Sequence, residues 1–110
     1  MVGEVSPIGV SVSEAIERNR ARSPRYREEY DRLTPFEQIA RIVIARRGQL
    51  GLSQRDLAAR MGTTASAISR VESGQHRTST NTLRRLASAL DGRALLLFQF
   101  DAGQTEIVAL

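Results

Sequence analysis

The stretch from Leu52 to Gly74, Leu-Ser-Gln-Arg-Asp-Leu-Ala-Ala-Arg-Met-Gly-Thr-Thr-Ala-Ser-Ala-Ile-Ser-Arg-Val-Glu-Ser-Gly, constrains the fold more than any other part of this chain. It reads as two short helices joined by a tight turn. Ser53 with Asp56 three residues on is a capping-box pattern: the hydroxyl can accept from the Asp56 amide, and the carboxylate sits at the positive end of the helix. A helix therefore starts at Gln54. Its apolar positions Leu57, Ala58 and Met61 share one face at helical period, and Gly62 can turn the chain out of the helix. Thr63 or Thr64 can cap a second helix, in which Ala67, Ile68 and Val71 form the inward stripe before Gly74 stops it. Ala65, Ser66, Ser69 and Arg70 are left on the outward face.

The flanks supply the rest of a small helical bundle. Thr34-Pro35 with Glu37 predicts a helix from Pro35 to about Gln49, with a capping residue, proline at the first position and an acid at the third. Phe36, Ile39, Ala40 and Val43, with Ile42 and Ile44 beside them, offer more apolar surface than one face needs. Contacts on two sides are expected, the main core on one and an upstream helix on the other. That upstream helix begins at Pro24 and lines up Tyr26, Tyr30 and Leu33 among charged residues. It can pack on the main domain with a solvated charged face, or present Tyr26 and Tyr30 to a partner protein, since tyrosine and arginine are enriched anchors at interfaces. Residues 1–12 read as a flexible arm, followed by a helix start at Ser13 that ends at Ser23-Pro24.

After the polar loop Gln75–Ser79, Ser79 caps a helix with Leu83, Leu86, Ala87 and Leu90 inward, ended by Asp91-Gly92. The run Arg93–Phe100, the turn Asp101–Gln104 and the segment Thr105–Leu110 predict a β-hairpin. An isolated hairpin is marginal in water. Leu96, Phe98 and Phe100 on one side and Leu95 and Leu97 on the other therefore need cover, from this chain's helices or from a second copy. A sheet shared across a dimer is the favoured arrangement, because exposed apolar edges aggregate. The expected organisation is an arm and helical extension over residues 1–33, a helical core over 34–92 and a hairpin over 93–110.

With 110 residues the chain holds one modest core and no multidomain enzyme. It has no cysteine and a single histidine, His76, so neither disulfides nor a protein-only metal site is expected. No apolar run approaches membrane-spanning length and no signal peptide opens the sequence, which makes the cytoplasm the expected compartment. No assembled triad is legible around Ser66, Ser69 or His76, and Glu28-Glu29 sit on helical surface, so catalysis and cofactors are not expected. All sixteen basic residues are arginine. Ten of them lie between Gln38 and Arg93, against only Asp56, Glu72 and Asp91, whereas residues 1–37 carry six arginines and seven acids. The cationic surplus sits on the central helices, as phosphate binding requires.

The residues Gly51-Leu52-Ser53-Gln54, Leu57-Ala58, Met61-Gly62-Thr63-Thr64, Ile68-Ser69, Val71-Glu72 and Gly74 resemble the helix-turn-helix of the Xre/Cro/phage-repressor family. With Leu83, Leu86-Ala87 and Leu90, the resemblance covers roughly Ile39 to Gly92. It implies a mainly α, lambda-repressor-like bundle that binds double-stranded DNA as a homodimer on an inverted repeat. It also implies that Arg47, oddly placed on the side of Val43 and Ala40, pairs with Glu72 as a structural ion pair. Base reading then falls to Ala65, Ser66, Ser69 and Arg70, small or cationic side chains suited to a major groove about 12 Å wide. Gln54, Thr64, His76 and Arg77 are the phosphate candidates, and Arg46 and Arg55 are either further phosphate ligands or merely solvated. The layout, with Tyr-Arg-Glu-Glu-Tyr-Asp-Arg-Leu ahead of the DNA-binding segment, is also similar to HigA-like antitoxins of type II toxin-antitoxin pairs. That likeness implies a repressor that neutralises a RelE/HigB-like ribonuclease toxin. A stand-alone regulator, or an RNA- or protein-binding module on the same fold, is the alternative.

Overall fold

The computed structural model describes Glu14 and residues 24–110. The arm and the helix start at Ser13 expected upstream lie otherwise outside the described residues. Among residues 24–110, five helices precede one hairpin: α1 Pro24–Asp31, α2 Pro35–Leu50, α3 Gln54–Met61, α4 Ala65–Glu72, α5 Thr80–Ala89, β1 Leu95–Gln99 and β2 Thr105–Ala109. The architecture is the mainly helical bundle with a C-terminal hairpin that the sequence pattern predicts.

Each central helix begins where a hydroxyl can satisfy an orphan amide. Thr34 accepts from Glu37 N, Thr64 from Ala67 N and Ser79 from Thr82 N. At α3 the capping box is complete: Asp56 N donates to Ser53 Oγ and Ser53 N donates to Asp56 Oδ2, both at 3.0 Å. That hydrogen bond from the Ser53 amide, with the one from its hydroxyl, holds the Asp56 carboxyl below its usual pKa. Gly51 and Gly62 end α2 and α3 in the left-handed region, at φ 68° and 67°.

The core is one cluster of Val43, Leu57, Ala58, Ile68, Leu86 and Leu90, with Ile39, Met61 and Val71 packed against it. Leu57 is fully buried and Ile68 nearly so. The helical periods of α2, α3, α4 and α5 thus converge on one centre, and this fixes α4 against α3 with its opposite side in water.

The structure corrects one expectation and adds detail to two. The second apolar flank of α2 is not covered: Ile42 is 57% exposed and Ile44 is also exposed. Helix α5 runs to Ala89 with Leu90 as its cap, and Asp91-Gly92 ends it as expected, Asp91 taking the left-handed backbone at φ 59°. Leu96, Leu97, Phe98 and Phe100 are all exposed, so this chain's helices leave these hairpin side chains uncovered.

Gly74, just past α4, has φ 70°, and a Cβ there would lie 3.0 Å from Glu37 Cα. Gly51 has the same backbone geometry and open space around it. Gly51→Ala should therefore cost only the left-handed backbone penalty of about 1–2 kcal/mol. Gly74→Ala should cost measurably more, because the clash is with backbone on α2. Paired urea melts of the two variants check this ordering.

Candidate nucleic-acid interface

The arginines of the central helices divide into two groups, which charge counting cannot separate. Arg46 donates from Nε to Leu90 O at 3.0 Å, and Arg60 from Nη1 to Ala89 O at 3.0 Å. Both hold the open carbonyl end of α5. Arg85 donates to Met61 O at the end of α3. Arg46 is thus not merely solvated: it is bonded across the bundle. Arg41, Arg55, Arg70, Arg77, Arg84 and Arg93 are exposed. Of these, Arg55, Arg70 and Arg77 stand at the start of α3, on α4 and in the loop after α4.

Arg47 and Glu72 form a two-pronged pair: Nε to Oε2 at 2.8 Å and Nη2 to Oε1 at 2.9 Å. The Arg47 Nη1 donates to Leu52 O at 2.9 Å, and Gln54 Nε2 donates to Glu72 Oε1 at 3.1 Å. The Glu72 side chain is only 5% exposed and that of Arg47 21%. Burial pushes the Glu72 carboxyl up, but the hydrogen bonds from Arg47 and Gln54, together with the Arg47 charge, outweigh it and leave the pKa below the ordinary value of 4.5. The same bond raises Arg47 against the opposing effect of burial. The network ties the end of α2, the start of α3 and the last residue of α4 at one point, and so sets the angle of α4.

On α4, Ser66, Ser69 and Arg70 are exposed and Ala65 is half-buried, while Ile68 beneath them is buried. The outward side carries no large apolar residue and no acid. The Thr64 hydroxyl oxygen accepts from Ala67 N at 3.1 Å, which leaves its own proton to donate elsewhere. Gln54 is half-buried, and its amide nitrogen carries two hydrogens, of which one goes to Glu72. At the far end the Ser73 hydroxyl donates to Arg70 O at 2.7 Å and accepts from Gln75 N at 3.2 Å. This orders the exit toward His76 and Arg77, both exposed. The side chains of Tyr26 and Tyr30 lie outside the described residues. Elsewhere on α1 Arg25 reaches Glu29, and Arg32, just past its end, reaches Glu28, both on exposed surface.

Sequence reasoning missed the carbonyl-holding roles of Arg46, Arg60 and Arg85. Their partners lie 24 to 44 positions away, and no local pattern signals such a reach. No helix among the described residues is long and apolar enough to cross a membrane. No curated protein matches the chain in sequence. A family model described as helix-turn-helix matches residues 43–97, half of the chain and all of α3, α4 and α5. Two capped helices braced at a fixed angle, a small polar outward face on the second and this match together place the chain in the Xre/lambda-repressor-like helix-turn-helix family of DNA-binding transcriptional regulators.

Proposed function

We propose that this chain is a sequence-specific repressor that lays α4 in the major groove of double-stranded DNA and occupies a promoter as a homodimer. The observation that carries the reading is the exposed, small and cationic outward side of α4 above a buried Ile68. A helix with that side can approach base edges without steric or acidic repulsion. Arg70 is the one base-reading candidate able to make a bidentate contact with guanine O6 and N7, Ala65 can pack on a thymine methyl, and Ser66 and Ser69 can hydrogen-bond bases. Thr64, at the amino end of α4, and Gln54, at that of α3, sit where helix dipoles favour phosphate, with His76 and Arg77 on the next phosphates. Two copies place two recognition helices about 34–36 Å apart, so the operator is an inverted repeat.

Arg70→Ala should lower discrimination by about 1–3 kcal/mol at a single base pair while leaving binding to scrambled duplex almost unchanged. Gel shifts on the protein's own promoter region and on scrambled duplex check this. Equal loss on both duplexes would make Arg70 a phosphate contact instead.

The fuller form of the proposal is the antitoxin of a type II pair, which neutralises a RelE/HigB-like ribonuclease and represses the shared operon. Its support is the exposed, mixed-charge helix α1 ahead of the DNA-binding helices, in the layout of HigA-like antitoxins. Co-purification with the product of a neighbouring toxin-sized reading frame, and a tighter or altered gel shift in its presence, is the expected outcome. Failure of both leaves a stand-alone regulator.

A further inference from the structure

We infer that the outer face of the C-terminal hairpin is where a second copy of this chain docks, sheet against sheet about a two-fold axis. The inference deepens the homodimer reading above and rests on it for the identity of the occupant. Leu96 stands opposite Val108 in the antiparallel register. Strand alternation puts Phe98 and Phe100 on the same side as Leu96, and the two rings stack with centroids 6.4 Å apart. Leu96 is 44% exposed, Phe98 and Val108 48% and Phe100 50%. On the opposite face Leu95, Ile107 and Thr105 are half-buried, while Leu97, Gln99 and Ala109 are exposed. The hairpin thus holds four large apolar side chains of one face in water.

Three features select a second copy and a stacked geometry. Edge-to-edge pairing into a shared four-stranded sheet would leave those four side chains wet on both copies, whereas stacking the two faces covers all eight. The one charge on this face, Glu106, accepts a hydrogen bond from Gln104 of its own chain at 3.0 Å, so the patch offers no charge pattern with which to choose a foreign surface. An isologous contact of this kind also closes on itself and stops at two copies.

Area then sets the strength. Four large apolar residues, each about half exposed, contribute roughly 400 Å² per protomer, half of the 800 Å² per partner in a standard interface. The dimer is therefore weak and reversible in free solution, and it tightens when two adjacent half-sites hold both copies.

Sedimentation equilibrium of the full chain without DNA, from low to high micromolar concentration, tests this. The wild type should move from monomer to dimer mass and no further. F98E should weaken dimerisation roughly 30-fold or more, the range of an interface hot spot, and L96Q should act in the same direction. Q99E, on the opposite face, should dimerise like the wild type, with circular dichroism confirming that all variants are folded. A wild type that stays monomeric, a folded F98E that dimerises normally, assembly beyond two copies, or a hairpin face protected only by a co-expressed foreign protein would each overturn the inference. Because the samples contain no DNA, these outcomes do not touch the reading of α4, and loss of duplex binding would not touch the interface.

Discussion

Arg47→Ala is expected to lower the unfolding free energy by about 3 kcal/mol, the lower end of the range for breaking a buried ion pair, because Arg47 keeps some contact with water. The loss has a definite origin. Glu72, nearly buried, would keep Gln54 as its only side-chain donor and would lose both Arg47 prongs. Leu52 O would lose its Arg47 donor as well. Urea denaturation at neutral pH measures the effect. Acid gives a second, independent reading. The folded-state pKa of Glu72 lies below its ordinary value of 4.5, so the folded state binds fewer protons than the unfolded one. Its stabilising contribution is complete above about pH 4.5 and disappears as the pH falls through the folded value. Glu72→Gln should remove that acid-dependent part of the stability curve and also lower stability at neutral pH, because the amide nitrogen cannot accept one of the donors that the carboxylate holds. Arg47→Lys should recover only part of the loss, since an ammonium cannot bridge both carboxylate oxygens in plane.

Leu57→Ala is the other large effect. Leu57 is fully buried in the one core cluster, between Val43 of α2, Ile68 of α4 and Leu86 of α5. Truncation removes buried methyl groups and leaves a cavity that rigid helices fill poorly, at a cost of about 2–5 kcal/mol. A domain of this size holds only about 5–15 kcal/mol in total. The variant should therefore show a clearly reduced urea midpoint with an unchanged slope, and weaker DNA binding above room temperature. An exposed counterpart, Ser66→Ala, should change stability by less than 0.5 kcal/mol, and it separates loss of fold from loss of contact.

Much of this bundle is legible in the sequence because the signals are local. Ser53 and Ser79 announce two helix starts through hydroxyls that bond an amide three positions on, Thr63 or Thr64 a third, and Gly62 marks an end through a backbone few other residues adopt. The apolar stripes of α3 and α4 are legible for the same reason: a helical period needs only a few neighbours. What depends on distant partners is not. The Arg46 bond to Leu90 O spans 44 positions, so charge patterning cannot tell a carbonyl-holding arginine from a phosphate ligand. The width of the apolar surface on α2 is readable, but its cover is not, and Ile42 stays in water. The α5 stop at Asp91-Gly92 is legible, but which of the two residues turns the chain is not: Asp91, and not the glycine, takes the left-handed position. The place of Arg47 is readable from period alone; its partner Glu72 comes only from the family resemblance, since 25 positions separate them. The base-reading residues are legible as a face, while the reading itself depends on a duplex that the sequence does not contain.

The central claim is that the outward side of α4 meets base pairs. It is tested most directly by following backbone amide shifts in NMR spectra while duplex from the protein's own upstream region is added. The account predicts that the largest changes fall on Thr64 to Arg70, with smaller ones at Gln54, His76 and Arg77, and that amides around Leu57 in the core hardly move. Changes concentrated on α1 or the hairpin, with α4 unmoved at saturating duplex, would contradict it.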